Sequence, residues 1–256
     1  MDIRILGAYN CESADTKLVS LLVDNVLALD AGALTSSLSL QSQLQLKAVL
    51  ITHRHYDHIK DIPLIAINRF FQNVPISILS TRSVYDILTT HILNGKIYPD
   101  FFKFPAKNPS LKFTAVEPAQ PVQIEDYNIL PVSVNHASTA IGYQVTAPDG
   151  KVMFYTGDTG AGLNDCWEQI SPQLLIIEVT APSSEQDFAT QSDHLTPAIL
   201  AQELISFRDL KNYLPEIVVV HMNPPYEMEI AAEIAAVAKQ LSVSITLAHE
   251  GMQVHV

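Results

Sequence analysis

The segment His53-Arg54-His55-Tyr56-Asp57-His58 follows the apolar run 48–51 and brings three histidines and an aspartate together within six residues. Residues two apart on an extended chain point to the same side, so His53 and His55 can bind one cation. Asp57 and His58 come where the chain turns into a predicted helix, and they can serve a second cation nearby. Imidazole and carboxylate ligands favour zinc, with manganese or iron as alternatives. The segment therefore predicts a metal site, although any one histidine alone is more often solvated or simply hydrogen-bonded.

Other strand-like runs also stop at a potential ligand instead of an ordinary turn residue. These residues are His136 after the run 130–134, Asp158 after 152–155, His221 after 217–220 and Asp30 after 27–29. Strand ends that converge on one edge of a sheet bring such side chains together. We therefore expect them to lie beside the histidine cluster.

The composition narrows the class of substrate. The chain has 15 Lys and Arg against 27 Asp and Glu, which gives a formal net charge of −12. Proteins that hold long nucleic acids neutralise phosphates with basic residues, so a broad nucleic-acid surface is not expected, although a local basic patch is compatible with these numbers. Any phosphate chemistry should therefore be done by metal ions on a small substrate.

The same composition indicates a cytoplasmic globular protein. Its 256 residues, 48% of them hydrophobic, suffice for a substantial core. No window reaches the ~18 uninterrupted apolar residues of a membrane span, and the N-terminus lacks the layout of a signal peptide. Cys11 and Cys166 are too few for a disulfide framework. We therefore expect a cytoplasmic location and no membrane contact.

Strand-like and helix-like patterns predict one α/β domain, of the α+β kind, over residues 1–256. Strands are predicted at 3–6, 19–23, 26–29, 48–51, 76–79, 122–124, 129–134, 141–145, 152–155, 174–179, 217–220, 243–247 and 252–256. Helices are predicted at 36–46, 59–71, 84–93, 197–210 and 228–241. Hairpins come first, helices come next, and the order repeats from Ile141 onward. Two packed sheets with helices on both outer faces fit this order, and stretch 95–120 is predicted to be a loop near a site.

Taken together, these residues resemble the metallo-β-lactamase superfamily, in its phosphodiesterase and ribonuclease branch, over nearly the whole chain. The resemblance implies an αββα sandwich with two divalent metal ions. The implied ligands are His53, His55 and His136 for one metal, Asp57, His58 and His221 for the other, and Asp158 as a bridge between them. Asp30 would brace the metal loops without being a ligand. The antibiotic-cleaving members often use a cysteine ligand, and neither cysteine of this chain is at such a position.

Charge arithmetic for that ligand set fits a phosphodiester substrate. Two divalent ions, two ligating aspartates and a bridging hydroxide leave a net charge of about +1, which attracts a phosphodiester monoanion. Two metals lower the pKa of the bridging water toward ~7 and stabilise the charged transition state of an in-line displacement. The hydroxide is then the nucleophile, and Asp57 can help to orient it.

A second pair, Glu178 and His194, is a candidate for proton transfer. His194 lies just before the helix start Thr196-Pro197. A leaving alkoxide needs a proton donor, and a histidine suits that work. Glu178 can fix the tautomer of that histidine and raise its pKa. The alternative is that His194 only caps the helix. In transfer ribonuclease Z, which this part of the chain resembles, a Glu–His pair at matching motifs has the donor role.

Two families within the branch compete. The class II cyclic-nucleotide phosphodiesterases resemble this chain in segments 194–197, 202–204, 91–101 and 221–224, although Tyr98 stands where tryptophan is common. Transfer ribonuclease Z shares the metal motifs and the Glu–His pair, but it normally carries a glycine-rich basic arm, and the sequence has no such arm. The alternative for segment 91–101 is core packing of Ile97, Tyr98 and Phe101.

The sequence therefore predicts a dinuclear-metal phosphodiesterase that hydrolyses 3′,5′-cyclic nucleotides to 5′-mononucleotides, with Asp57, His194 and Glu178 as catalytic residues. Zinc is the expected metal and a small phosphodiester the expected partner, and a homodimer is compatible with the sequence. The alternatives are a ribonuclease Z-like endonuclease for tRNA 3′ ends, another ester or thioester hydrolase of this fold, and a metal-containing nucleotide sensor without chemistry.

Overall fold

A computed structural model describes residues 1–137 and 139–256. Two seven-stranded sheets form its central layers. The strands in chain order are β1 (Asp2–Gly7), β2 (Ser20–Val23), β3 (Leu27–Leu29), β4 (Ala48–Leu50), β5 (Ile76–Ser80), β6 (Leu111–Ala115), β7 (Val122–Ile124), β8 (Tyr127–Ser133), β9 (Ile141–Thr146), β10 (Val152–Tyr155), β11 (Leu174–Glu178), β12 (Glu216–Val220), β13 (Ile245–Leu247) and β14 (Gln253–His255). One sheet has the order β14-β1-β2-β3-β4-β5-β6, and the other has the order β13-β12-β11-β10-β9-β8-β7.

Each sheet has an antiparallel part and a parallel part. Strands β3 to β6 run parallel in the first sheet, and strands β10 to β13 run parallel in the second. Parallel strands end at one edge, and ligands in open α/β sheets bind at such carboxyl ends. The fold therefore brings together the loop residues at the carboxyl ends of β3, β4, β10, β11 and β12.

Helices connect the strands. They are α1 (Leu34–Ser37), α2 (Leu40–Gln45), α3 (Tyr56–Ile59), α4 (Ile62–Gln72), α5 (Arg82–Ile87), α6 (Asn164–Gln169), α7 (Gln186–Gln191), α8 (Pro197–Lys211) and α9 (Glu227–Leu241). A π-helical turn, Leu88–Ile92, continues α5. In the described part of the chain, none of the helices combines the length and the apolar character needed to cross a membrane.

The burial of alternate residues explains the layers. In β2, Leu21 and Val23 belong to the core between the two sheets, whereas Leu22 belongs to a second core under the helices of the first sheet. That second core joins Val49 of β4 to Ile62 of α4. On the far side, Leu204 and Phe207 of α8 pack with the strands of the second sheet. The order is helix, sheet, sheet, helix, so the predicted αββα sandwich is confirmed.

Four details differ from the sequence prediction. The helix predicted at 36–46 is two helices, because the chain is extended at Leu38 and Ser39 caps α2 by accepting from the backbone N–H of Ser42. The helix predicted at 59–71 is preceded by the short α3, which contains Asp57 and His58. The stretch 95–120 contains β6, an edge strand with exposed residues. The second sheet starts at β7, earlier than Ile141.

Segment 91–101 packs mainly against the first sheet's helices. Phe101 is buried, and its ring lies 6.0 Å from that of Phe70 on α4 and 5.8 Å from that of Tyr98. Ile97 is 71% exposed. The alternative interpretation of this segment, core packing, is therefore correct for Phe101, whereas Ile97 faces solvent.

Candidate metal centre

The strand ends bring the predicted ligands to one place. The chain leaves β4 through Thr52 and His53, and Asp158 comes after β10. His221 directly follows β12, where its backbone N–H donates to the carbonyl of Ala8 at 2.6 Å. His136 lies in the loop between β8 and β9. Both sheets therefore contribute to the same site.

The first group of potential ligand atoms comes from His53, His55, His136 and Asp158, and all of these atoms lie within 4.8 Å of one another. The Nε2 atoms of His53 and His136 are 3.6 and 3.8 Å from Oδ2 of Asp158. Nδ1 of His55 is 3.1 Å from Nε2 of His136. His55 therefore faces this group with Nδ1.

The second group comes from Asp57, His58, His221 and Asp158, within the same 4.8 Å limit. The Nε2 atoms of His58 and His221 are 3.2 and 3.3 Å from Oδ2 of Asp158. Both are also 3.3 Å from Oδ2 of Asp57. The structure thus divides the sequence-predicted ligands into the two predicted sets, and Asp158 belongs to both. That these sets hold metal ions stays a prediction.

Unpartnered atoms in the site fit divalent cations. Nε2 of His53, Nε2 of His58 and Oδ1 of Asp158 are buried and have no hydrogen-bond partner among the described residues. Leaving such an atom unsatisfied costs about 1–3 kcal/mol. Two cations, one in each group, would satisfy the Nε2 atoms of His53 and His58, so the donor set fits the metals that the fold family binds.

Electrostatics set the protonation states in the site. Burial lowers the pKa of His53 well below its usual value, which favours the neutral form that binds metals. Burial also opposes charge on His58, but Asp158, Asp30 and Asp57 outweigh it and raise the pKa of His58. Burial works against the ionised form of Asp158, yet the neighbouring His221 and His58 hold the pKa of this carboxyl well below its usual range.

Asp30 braces the site from beneath. Its fully buried carboxylate accepts hydrogen bonds from the backbone N–H of Thr52 at 2.8 Å, from Nδ1 of His58 at 2.7 Å and from the Tyr155 hydroxyl at 2.8 Å. The φ of Asp30 is +56°, a left-handed conformation that aspartate tolerates better than most residues. Asp30 therefore holds His58 with Nε2 toward the ligand atoms, as a residue outside both ligand sets.

Glu178 and His194 form a pair next to both ligand groups. Nδ1 of His194 is 2.6 Å from Oε1 of Glu178. The ring of His194 lies 4.9 Å from that of His136 and 5.3 Å from that of His221. Burial opposes protonation, but the charge and hydrogen bond of Glu178 outweigh it and raise the pKa of His194 to about 9. The side chain of His194 contacts Glu178, and it is Thr196 that caps α8.

Glu178, His194 and His221 also have potential ligand atoms close together. However, the Glu178 carboxylate already accepts from the backbone N–H groups of Thr159 and Leu195, from the Thr180 hydroxyl and from His194. Four donors use the roughly four acceptor positions of a carboxylate. Glu178 is therefore an orienting group and has no acceptor position left for a third metal.

Sequence reasoning missed a brace for the loop after Asp158. Glu203 on α8 is buried, and its carboxylate accepts from the backbone N–H groups of Gly162 at 2.7 Å and Leu163 at 3.1 Å. The Asn135 side chain donates to two carbonyls of the same loop. The sequence offered one signal for this brace, because Glu203 lies on the otherwise apolar face of the predicted helix 197–210.

Comparisons with known proteins agree with the observed fold. The sequence model of the beta-lactamase superfamily domain matches residues 21–245. The crystal structure of unliganded yeast PDE1 is 18% identical, with a TM-score of 0.82 and coverage of 100% of this chain and 99% of that chain. The metallo-beta-lactamase fold protein YhfI from Bacillus subtilis is 17% identical, with a TM-score of 0.75 and 99% of each chain covered.

Human tRNase Z, short form, is 18% identical, with a TM-score of 0.71 and coverage of 100% of this chain and 99% of that chain. At identities this low, the structural similarity shows a common fold and nothing about function. No curated protein matches the sequence. Since the superfamily's sequence model spans most of the chain and the fold agrees, this chain belongs to the metallo-β-lactamase superfamily, whose fold is that of metal-dependent hydrolases.

Proposed function

We propose that the protein is a dinuclear-metal phosphodiesterase that hydrolyses 3′,5′-cyclic nucleotides to 5′-mononucleotides. The observation that carries the proposal is the position of Asp158, whose Oδ2 lies 3.2–3.8 Å from Nε2 of four histidines. One carboxylate between two imidazole sets suits a pair of ions, and a pair of ions suits a phosphodiester. Zinc is the proposed metal.

The residues that would hold the two ions are His53, His55, His136, Asp57, His58, His221 and the shared Asp158. When bound, two divalent ions supply an activated water as nucleophile and neutralise charge on the phosphoryl group. Of the two aspartates in the ligand sets, Asp57 is the more exposed: 28% of its side chain is accessible to solvent, against 3% for Asp158. Its open side suits a role in orienting the water.

His194 is the proposed proton donor. Formation of a 5′-mononucleotide breaks the bond between phosphorus and the ribose 3′ oxygen, so that oxygen must gain a proton. Nδ1 of His194 is occupied by Glu178, which leaves Nε2 to give its proton to the leaving oxygen. The raised pKa keeps the imidazole protonated at neutral pH, as a general acid requires.

The charge of the chain supports a small substrate. A net charge of −12 disfavours the phosphate-by-phosphate contacts that a long RNA requires. The sequence segments 91–101, 194–197 and 221–224 resemble the cyclic-nucleotide enzymes. These features favour a cyclic nucleotide over a precursor tRNA.

A substrate panel tests the proposal. The zinc-loaded protein should convert 3′,5′-cyclic AMP or GMP to the 5′-mononucleotide, and the product should be identified by chromatography. Precursor tRNA should be turned over far more slowly, because a net charge of −12 disfavours the many phosphate contacts that a long RNA requires. The matched control is the protein stripped of metal by a chelator, which should be inactive on every substrate.

Two results would contradict the assignment. Cleavage of precursor tRNA with a steep salt dependence, without turnover of cyclic nucleotides, would favour the ribonuclease alternative. Saturable binding of cyclic nucleotides to the zinc-loaded protein, with no product formed, would favour a sensor.

The pH dependence of turnover should identify the donor pair. A general acid works while protonated, so kcat for a cyclic nucleotide should hold at neutral pH and fall as pH rises through the pKa of His194. Glu178→Gln removes the charge that raises this pKa, so the alkaline fall should move to lower pH. The measurement is the pH profile of kcat for both proteins. An alkaline fall at the same pH in Glu178→Gln would exclude His194 as the group observed.

A further inference from the structure

The direction of the hydrogen bonds around Thr180 determines which nitrogen of His221 carries a proton. The Thr180 hydroxyl lies 2.8 Å from Oε2 of Glu178 and 2.9 Å from Nδ1 of His221. A carboxylate only accepts, so the single hydroxyl proton goes to Glu178. The contact with His221 must then run from Nδ1–H to the hydroxyl oxygen. In the neutral ring that binds a metal, Nε2 of His221 then carries the lone pair, and it lies 3.3 Å from Oδ2 of both Asp57 and Asp158.

The same arrangement occurs around Thr52 in the other half of the protein. Its hydroxyl lies 2.9 Å from Oδ2 of Asp30 and 3.0 Å from Nδ1 of His53. The hydroxyl proton again goes to the carboxylate, so His53 donates from Nδ1. Nε2 of His53 therefore carries a lone pair, and this is one of the buried atoms without a hydrogen-bond partner among the described residues.

The two threonines are equivalent in position. Thr52 comes after β4 in the first sheet, Thr180 comes after β11 in the second, and both are buried. Each connects a buried carboxylate to one histidine of one ligand group. His58 and His136 need no such connection, since their Nδ1 atoms contact Asp30 and the carbonyl of Asp193 directly.

We propose that Thr52 and Thr180 are positioning residues, which fix one histidine of each ligand group in the Nδ1–H form with Nε2 ready to bind a metal. The inference rests on the metal centre of the proposed function and concerns no substrate. Outer partners of this kind fix the tautomer and orientation of a metal-binding histidine. The Thr180 hydroxyl also connects the two parts of the site. It contacts His221, and it contacts Glu178, the carboxylate that orients His194.

Valine substitutions separate the hydroxyl from the packing of the side chain. Valine has nearly the shape of threonine and lacks the hydroxyl, whereas serine keeps the hydroxyl and loses a methyl group. The backbone N–H of Thr52, which donates to Asp30, is unaffected by either change. Thr81→Val is the matched control, because Thr81 is buried and its hydroxyl has no hydrogen-bond partner among the described residues.

The experiment measures Zn²⁺ affinity by competition with a chromophoric chelator. The wild-type protein should bind two Zn²⁺ per chain. Thr52→Val and Thr180→Val should each weaken the binding of one of the two ions by about 10- to 100-fold. The double variant should weaken the binding of both. Thr52→Ser and Thr180→Ser should stay near wild type, as should Thr81→Val. If a valine variant fails to fold, the alanine variant at the same position is measured instead.

Three results would overturn the inference. Valine variants that bind both ions as tightly as the wild type would show that the hydroxyls do not position the ligands. Serine variants as weak as the valine variants would show that packing, not the hydroxyl, matters. A wild-type protein that binds no Zn²⁺ would remove the metal centre itself. Because the readout is zinc binding, failure of the cyclic-nucleotide assay leaves this test intact.

Discussion

Asp158→Ala should abolish hydrolysis and release both metal ions together. Asp158 is the one side chain common to the two ligand groups, and its Oδ2 contacts imidazoles of both. Metal ions contribute several kcal/mol to the transition state of such reactions, and each 1.4 kcal/mol is a factor of ten, so a loss of about 10³-fold or more is expected. The measurement is metal content by mass spectrometry beside kcat/KM on a cyclic nucleotide.

A loss of activity through unfolding must be separated from a loss of metal. Asp158→Asn keeps the volume of the side chain and removes its charge, and it should also lose metal and activity. Asp209→Ala is the matched control, because Asp209 is exposed on α8, about 18 Å along the helix from its first residue. Asp158→Ala protein that keeps two metals and full activity would disprove the bridging role.

His194→Ala should leave both metals bound and slow the hydrolysis of cyclic nucleotides by about 10²–10⁴-fold, the usual contribution of a general acid. The reason is that the ribose 3′ oxygen is a poor leaving group and needs a proton, which the pair of Glu178 and His194 can supply. An activated aryl phosphodiester leaves without a proton, so its hydrolysis should slow much less. The measurement is kcat on both substrates, with metal content determined on the same samples.

His249→Ala is the matched control for that experiment. His249 is exposed, and its Nδ1 contacts the carbonyl of Glu250. This variant should keep the activity of the wild type on both substrates. Equal losses on the natural and the activated substrate in His194→Ala would contradict the donor role, since a general acid affects poor leaving groups most.

Much of the fold can be predicted from local sequence. The hairpin between β2 and β3 turns at Asp24 and Asn25, both with positive φ, as polar turn residues between two apolar runs predict. The parallel strands β11 and β12 are continuous apolar runs, because both faces of the second sheet are covered. The long helices α8 and α9 lie within one residue of their predicted bounds.

The remaining elements depend on tertiary context. Strand β6 lies in a stretch rich in Pro, Phe and Lys, and it pairs in parallel with β5 at the edge of the first sheet. Helix α6 is one turn and a half around Trp167, which is fully buried against Phe207, and so short a segment has little periodicity. The prediction of one domain over residues 1–256 stays a prediction.

The site divides in the same way. The ligand candidates could be predicted because each histidine or aspartate comes soon after an apolar run. The roles of Thr52 and Thr180 could not, because the Thr52 hydroxyl contacts Asp30, 22 residues away in the sequence, and the Thr180 hydroxyl contacts His221, 41 residues away. Threonines are common at strand ends, so their residue type carried no signal. Their hydroxyl contacts distinguish these two threonines from other residues that follow a strand. Thr52 contacts Asp30 and His53, and Thr180 contacts Glu178 and His221.

The most direct test of the dinuclear centre is a titration of activity with metal. Wild-type protein is stripped with a chelator, and the rate of 3′,5′-cyclic AMP hydrolysis is measured as Zn²⁺ is added back in known amounts. The metal-free protein should be inactive, and activity should rise until two ions per chain are bound. Full activity in the metal-free protein, or a plateau at one ion per chain, would contradict the dinuclear site.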